Sequence, residues 1–373
     1  MKINTFKLEN YLSQHEFLPQ HLLCRSDAES MALRDLLDMA DHEDQELWNN
    51  LQLGYTTAAG MPILRQLIVQ EMYKDLMAHQ VLCFSGSEGA GFSALFALCE
   101  PEDHVIVLTP CYQALIEIPK FRGCEISQLS LKEENNWCID IDAIRSMIKS
   151  NTKWLIINFP HNPSGQVITP EELKNLIKLL DEHGVWLFSD ESSRLLGAPI
   201  DGWAEPAAVL YPKAVSLNGM SKAFGLGGLR IGWVACQDPA AINKIKEIKN
   251  YTTIGNSTPS ELLSVIALKN KDVILEKNNQ ILSDNLVILD LFFTKNQKLF
   301  SWVWPQGGCV GWVHYKGKED VDLFCKKLLR DTGVLLMPAS VYDVNENYFR
   351  IGFGHKDMVT AIGKLQQYLE ALA

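Results

Sequence analysis

Between residues 80 and 235 the chain alternates short apolar runs with helix-forming stretches, and few folds accept that rhythm. The runs cover 81–84, 104–108, 125–129, 154–158, 185–189, 214–217 and 229–235. Such runs, separated by helical segments, read as the strands of an α/β sheet. Between two of them, Thr169-Pro170-Glu171-Glu172 places threonine at an N-cap, proline in the first turn and glutamate at the third position, and Gly184 follows as a stop. A second start at Thr258-Pro259 leads through Leu262, Leu263, Ile266, Ile274, Ile281, Leu286 and Leu289, so one long helix is expected there. Beyond it, 302–304, 309–314, 333–337 and 348–353 read as strands of a smaller domain. The first 45 residues are polar and weakly periodic, and are expected to form an arm or part of that smaller domain.

With 373 residues, 47% of them hydrophobic, the chain can bury the core of one large domain and one smaller one. The 34 basic and 45 acidic side chains leave a net charge of −11, which argues against nucleic acid or an anionic membrane as partner. Nine cysteines are scattered without a C-x-x-C pair, so neither a disulfide framework nor a zinc site is expected. The first residues lack the apolar core of a signal peptide, and no stretch approaches the ~20 apolar residues of a membrane span. A cytoplasmic protein is the expectation.

Five segments carry chemistry. In Ser221-Lys222, followed by a Gly-rich stretch and Arg230, an amine able to form a Schiff base lies beside hydroxyl and guanidinium donors suited to a phosphate. Alone, the pair would read as a surface lysine before a turn; the other segments decide against that. Gly86-Ser87-Glu88-Gly89-Ala90-Gly91 follows a strand and opens a helix, where free N–H groups make an anion site, or form an ordinary glycine turn. The stretch matches neither dinucleotide nor P-loop templates, which removes a Rossmann dehydrogenase. Asn162-Pro163-Ser164-Gly165 sits at a strand's C-terminal end, where α/β sheets bind ligands, although it is also a good turn sequence. Asp190 ends the next strand, as a partner for a pyridine nitrogen or as a helix cap. Arg350, flanked by Phe349 and Ile351, needs a partner, and a carboxylate suits its fork better than an internal salt bridge.

Taken in order, Gly54-Tyr55 through Leu64-Arg65, Gly86-Ser87-Glu88, Pro110-Cys111-Tyr112, Asn162-Pro163-Ser164-Gly165, Asp190-Glu191, Ser221-Lys222, Arg230 and Tyr348-Phe349-Arg350 resemble the class I/II aminotransferases of fold type I. The resemblance implies an α/β protein: a large domain (46–260) with a mostly parallel seven-stranded sheet and helices on both faces, a small α+β domain (261–373), and the arm (1–45) joined to the latter. It implies pyridoxal 5′-phosphate on Lys222, Asp190 at the ring nitrogen, Asn162 at the ring hydroxyl and Tyr112 on the ring face. Ser87, Glu88, Ser221 and Arg230 would hold the phosphate, and Tyr55 would reach the phosphate of a second subunit in a homodimer with shared sites. Arg350, with Asn162, would bind the carboxylate of an amino acid or a 2-oxo acid. Within the family, Arg25-Ser26-Asp27-Ala28-Glu29-Ser30-Met31, Leu53-Gly54-Tyr55-Thr56 and residues 348–354 resemble the branch that contains capreomycidine synthase, which cyclises its substrate. Elimination, replacement or cyclisation therefore stands beside amino transfer. Ser193 departs from the family's tyrosine three residues after the aspartate, and its shorter, less acidic hydroxyl implies altered cofactor titration. Ser26, Asp27 and Glu29 are expected to line the pocket and favour a basic or polar substrate; Arg194 reaches the site or remains at the surface.

Overall fold

The computed structural model describes residues 3–15 and 20–372, so residues 1–2 and 16–19 of the expected arm lie outside the described residues. Helix α1 (Lys7–His15) precedes seven strands: β1 (Val81–Phe84), β2 (His104–Thr109), β3 (Glu125–Ser130), β4 (Thr152–Asn158), β5 (Trp186–Asp190), β6 (Ala214–Gly219) and β7 (Gly232–Ala235). They lie in the order β1-β7-β6-β5-β4-β2-β3. The links among β2 to β6 are parallel, while β7 runs antiparallel to both β1 and β6. This is the mostly parallel α/β sheet expected. The last apolar run starts its strand later than expected, at Gly232. Residues Gly227–Leu229 turn as a 3-10 helix, and Arg230 takes a left-handed φ of 51°, which no strand continues.

Successive side chains of a strand face opposite ways, and in the central strands both faces are buried, whereas the edge strand β3 is partly exposed. Trp154 and Ile156 of β4 pack with Ala94 and Leu95 of helix α2 (Ser87–Leu98). Leu155 and Ile157 pack with Leu173, Leu176 and Leu180 of helix α3 (Pro170–His183). The signals read for α3 are realised: Thr169 Oγ1 accepts from Glu172 N at 3.1 Å, the Glu172 carboxylate accepts from Thr169 N at 2.8 Å, and Gly184 adopts a left-handed φ of 69°.

The expected single long helix is two, α4 (Thr258–Lys269) and α5 (Lys271–Lys295). Asn270 breaks it, its side chain donating to Ile266 O at 2.9 Å and to Met39 O at 3.2 Å, so it caps one helix instead of continuing it. After α5 comes a four-stranded antiparallel sheet of β8 (Phe300–Trp302), β9 (Val310–Tyr315), β10 (Met337–Pro338) and β11 (Tyr348–Gly352), ordered β10-β11-β9-β8.

The N-terminal segment ties the two sheets together. His21–Leu22 pairs in parallel with Val334–Leu335, and Tyr11 donates to Leu336 O at 2.8 Å. On the other side, Lys7 N donates to Gln113 Oε1 at 2.8 Å, next to β2's C-terminal loop. Helix α1 buries only Leu8, which is why apolar periodicity barely marks it. No helix among the described residues is long and apolar enough to cross a membrane.

Candidate active site

Strand direction gathers the chemistry on one edge of the large sheet. The C-terminal ends of β1, β2, β4, β5 and β6 lead to Gly86, Tyr112, Asn162, Asp190 and Lys222, while the antiparallel β7 starts from Arg230 at the same edge.

Gly86 has a φ of 97°, open to glycine and costly for other residues, and a Cβ there would collide with the Arg230 guanidinium. A Cβ on Gly232 would strike the Ser87 backbone. Both glycines thus permit close approach of the α2 N-terminus, with the free N–H groups of Ser87 and Glu88, to a guanidinium that donates to Gly227 O at 3.1 Å. Ser221 packs beside Gly227, and Ser87 Oγ donates to Asn218 O at 3.2 Å. The cradle therefore fits an anionic phosphate.

Asp190 is buried. Its Oδ1 accepts from both the Ser192 backbone N at 3.0 Å and Ser192 Oγ at 2.6 Å. Burial pushes its carboxyl up, and the Ser192 donors and the Lys222 ammonium pull it back. Asn158 Nδ2 donates to Asp190 O at 3.0 Å, and Asn158 Oδ1 accepts from Asn162 N at 3.0 Å, which ties β4 to β5 at this point.

Lys222 Nζ donates to Ser26 Oγ at 2.9 Å. Ser26 arrives on a strap, residues 23–29, held by backbone bonds from Gly352 N to Leu23 O, Glu29 N to Gly354 O and Ala28 N to Lys222 O. Of the three arm residues expected in the pocket, Ser26 reaches the lysine, whereas Asp27 and Glu29 are engaged by His355 and the Lys356 backbone. Across the cleft, Arg350 is 2% exposed and donates to Asn162 Oδ1 at 3.1 Å, Tyr342 Oη at 2.5 Å and Cys24 O at 2.5 Å, with its Nε unpartnered.

Tyr112 donates to Glu9 Oε1 at 3.2 Å, with Phe6 tilted 5.1 Å from its ring. Burial, then the carboxylates of Glu88 and Glu9, raise its phenol far above the usual range, so it stays protonated. Ser193 faces Gly308 at the turn after β5, and Arg194 donates to Ala204 O at 3.1 Å. Tyr55 does not join the group: it is 95% exposed, on a loop next to residues 251–256.

Residues 24–362 match the family described as aminotransferase class I and II. The chain belongs to that family. Most of its relatives are PLP-dependent aminotransferases, which are transferases, and this chain is a PLP-dependent transferase. It is 29% identical to capreomycidine synthase of Streptomyces vinaceus, over 74% of this chain and 70% of that protein. It is 26% identical to an aspartate aminotransferase of Sulfurisphaera tokodaii, over 86% of this chain and 83% of that protein. A crystal structure of a PLP-dependent aminotransferase from Streptococcus suis superposes with a TM-score of 0.93 at 30% identity, covering 100% of this chain and 99% of that one.

Two residues of the site carry no family motif in the sequence. Ser192 is one serine among two, and Tyr342 lies in Ala339–Tyr342, a short 3-10 turn without a chemical signature. Ser192 reaches Asp190 through a local turn two residues on, whereas the fold of the small domain brings Tyr342 to Arg350.

Proposed function

We propose that the protein exchanges the amino group between an L-amino acid and a 2-oxo acid at this cleft, with Lys222, Asp190, Tyr112, Asn162 and Arg350 carrying the reaction. Its cofactor is pyridoxal 5′-phosphate, which supplies an aldehyde that captures amines and a ring that withdraws electrons. The observation that carries this reading is the common edge shared by the Lys222 amine, buried Asp190, the Gly86–Arg230 cradle and the Arg350–Asn162 pair.

In this reading Ser87 and Glu88 N–H groups, Ser221 and Arg230 hold the cofactor phosphate. Asp190 keeps a proton on the ring nitrogen, Asn162 donates to the ring hydroxyl, and Tyr112 covers the ring face with Ser193 at the far turn. Arg350 takes the substrate carboxylate in its fork, which orients Cα toward Lys222. The Lys222 amine removes the Cα proton and later returns one, as base and then acid. Residues 46–260 form the cofactor-binding domain and 261–373 the small one, with residues 1–45 as the arm.

The likeness to capreomycidine synthase supports a second reading, elimination, replacement or cyclisation from the same start. One experiment separates them: the holoenzyme is incubated with single amino acids, with and without a 2-oxo acid. Amino transfer yields a new amino acid only when the acceptor is present. Release of ammonia, or loss of many equivalents of substrate per enzyme, without any acceptor would establish the second reading.

The chain is further proposed to act as a homodimer in the cytoplasm. Leu53 and Tyr55 are exposed on one loop, Tyr251 at the end of the helix Pro239–Thr252 and Ile254 just after it; the two segments meet through Thr56 and Gly255, and Thr258 Oγ1 donates to Gly54 O at 2.8 Å. A large exposed apolar patch of this kind suits a second copy, with Tyr55 reaching the neighbouring phosphate.

A further inference from the structure

Tyr342 ends the 3-10 turn between β10 and β11, and is buried against Trp312, ring to ring at 5.3 Å and 77°. Its hydroxyl lies 2.9 Å from Asn162 Oδ1 and 2.5 Å from Arg350 Nη1, and that same Nη1 is 3.1 Å from Oδ1. A guanidinium only donates, so the amide atom facing Arg350 is the oxygen. The phenol accepts from Arg350, which leaves its own proton for Asn162 Oδ1. Two donors therefore grip that oxygen from one side, and Asn158 holds the Asn162 backbone N from another. Asn162 Nδ2, bound to nothing among the described residues, is left to donate into the cleft.

Burial lifts the Tyr342 phenol to about 12, against the pull of Arg350, so it remains a donor throughout the working range. Asn162 is carried on the loop after β4 of the large sheet, while Tyr342 lies on the turn between β10 and β11 of the small sheet and Arg350 on β11 itself. The triangle is thus also a joint between the two. Ser193 makes no hydrogen bond to any of its members among the described residues.

We propose that Tyr342 is a positioning residue of this site: one phenol sets both the amide of Asn162 and the guanidinium of Arg350, aiming Nδ2 at the ring oxygen of the cofactor and the arginine fork at the substrate carboxylate. The proposal rests on the cofactor reading above. A donor at the ring oxygen draws on the charge that would otherwise hold the proton of the neighbouring lysine–cofactor imine. Loosening that donor lets the imine keep its proton to higher pH.

The test is a pH titration of the visible absorption of holoenzyme, without substrate, for wild type, Tyr342→Phe, Asn162→Ala and the double variant. Tyr342→Phe should move the midpoint upward by about half a unit to one unit, the size of one neutral hydrogen bond. In the Asn162→Ala background it should move it no further, because the phenol acts through that amide. An unmoved midpoint in the single variant, or a full additional shift in the double, overturns the proposal. Tyr342→Met serves as a second variant with the same expectation should the phenylalanine protein fail to fold. If the wild type itself shows no visible band with added pyridoxal 5′-phosphate, the cofactor reading falls, and this proposal with it.

Discussion

Asp190 shows how a single neighbour can set a charge. Burial disfavours its carboxylate, and Ser192 answers with two donors on the same oxygen, one from the backbone and one from the hydroxyl. Replacing the hydroxyl alone removes one of them while the backbone N–H stays. In Ser192→Ala the Asp190 carboxyl therefore rises further, and the group must ionise before it can hold a protonated nitrogen. The acid limb of kcat/KM is expected to move to higher pH by about half to one unit, while the rate on the plateau changes little. A limb that stays in place would mean the hydroxyl does not act on Asp190.

Loops and strands hold these residues, and His161 locks the loop that bears Asn162. Its ring is 1% exposed, between Ser164 Oγ at 2.6 Å and Pro110 O at 2.7 Å. A carbonyl only accepts, so Nε2 carries the proton and Nδ1 accepts from the serine. Burial lowers the ring's pKa to about 4, below the ordinary 6.5. Folding thus favours the neutral ring: its full contribution is present above pH 6.5 and is lost as pH falls from there toward 4, because the unfolded chain takes up the proton first. The loss amounts to about 3 kcal/mol at most. Denaturation of wild type and His161→Gln between pH 7 and 4 should show that component only in the wild type; parallel curves would contradict it. The same scale explains what was legible in the sequence. The central strands of the large sheet are legible because both their faces are buried, so their apolar runs are continuous, and Lys222, Asp190 and Asn162 sit at or just beyond strand ends, while Arg350 is conspicuous as a lone charge inside an apolar strand. The break at Asn270 is not, because apolar spacing continues across it and the side-chain bonds of Asn270 to Ile266 O and Met39 O mark it only in the folded structure. Tyr342 escapes for a related reason: its role comes from β10 and β11 meeting β4's loop, a contact 180 residues apart.

For the whole molecule, the two sheets and the strap between them make one cleft, while Tyr55 and its apolar neighbours face outward. Light scattering should report twice the 42.0 kDa chain mass, and Tyr55→Asp with Leu53→Asp should lower it to one; a wild-type monomer would contradict shared sites. The central claim concerns one nitrogen among the 34 basic side chains. Borohydride reduction of the holoenzyme followed by peptide mapping tests it most directly: the pyridoxyl group should be found on Lys222 and nowhere else. A fully labelled protein with Lys222 unmodified would contradict the account.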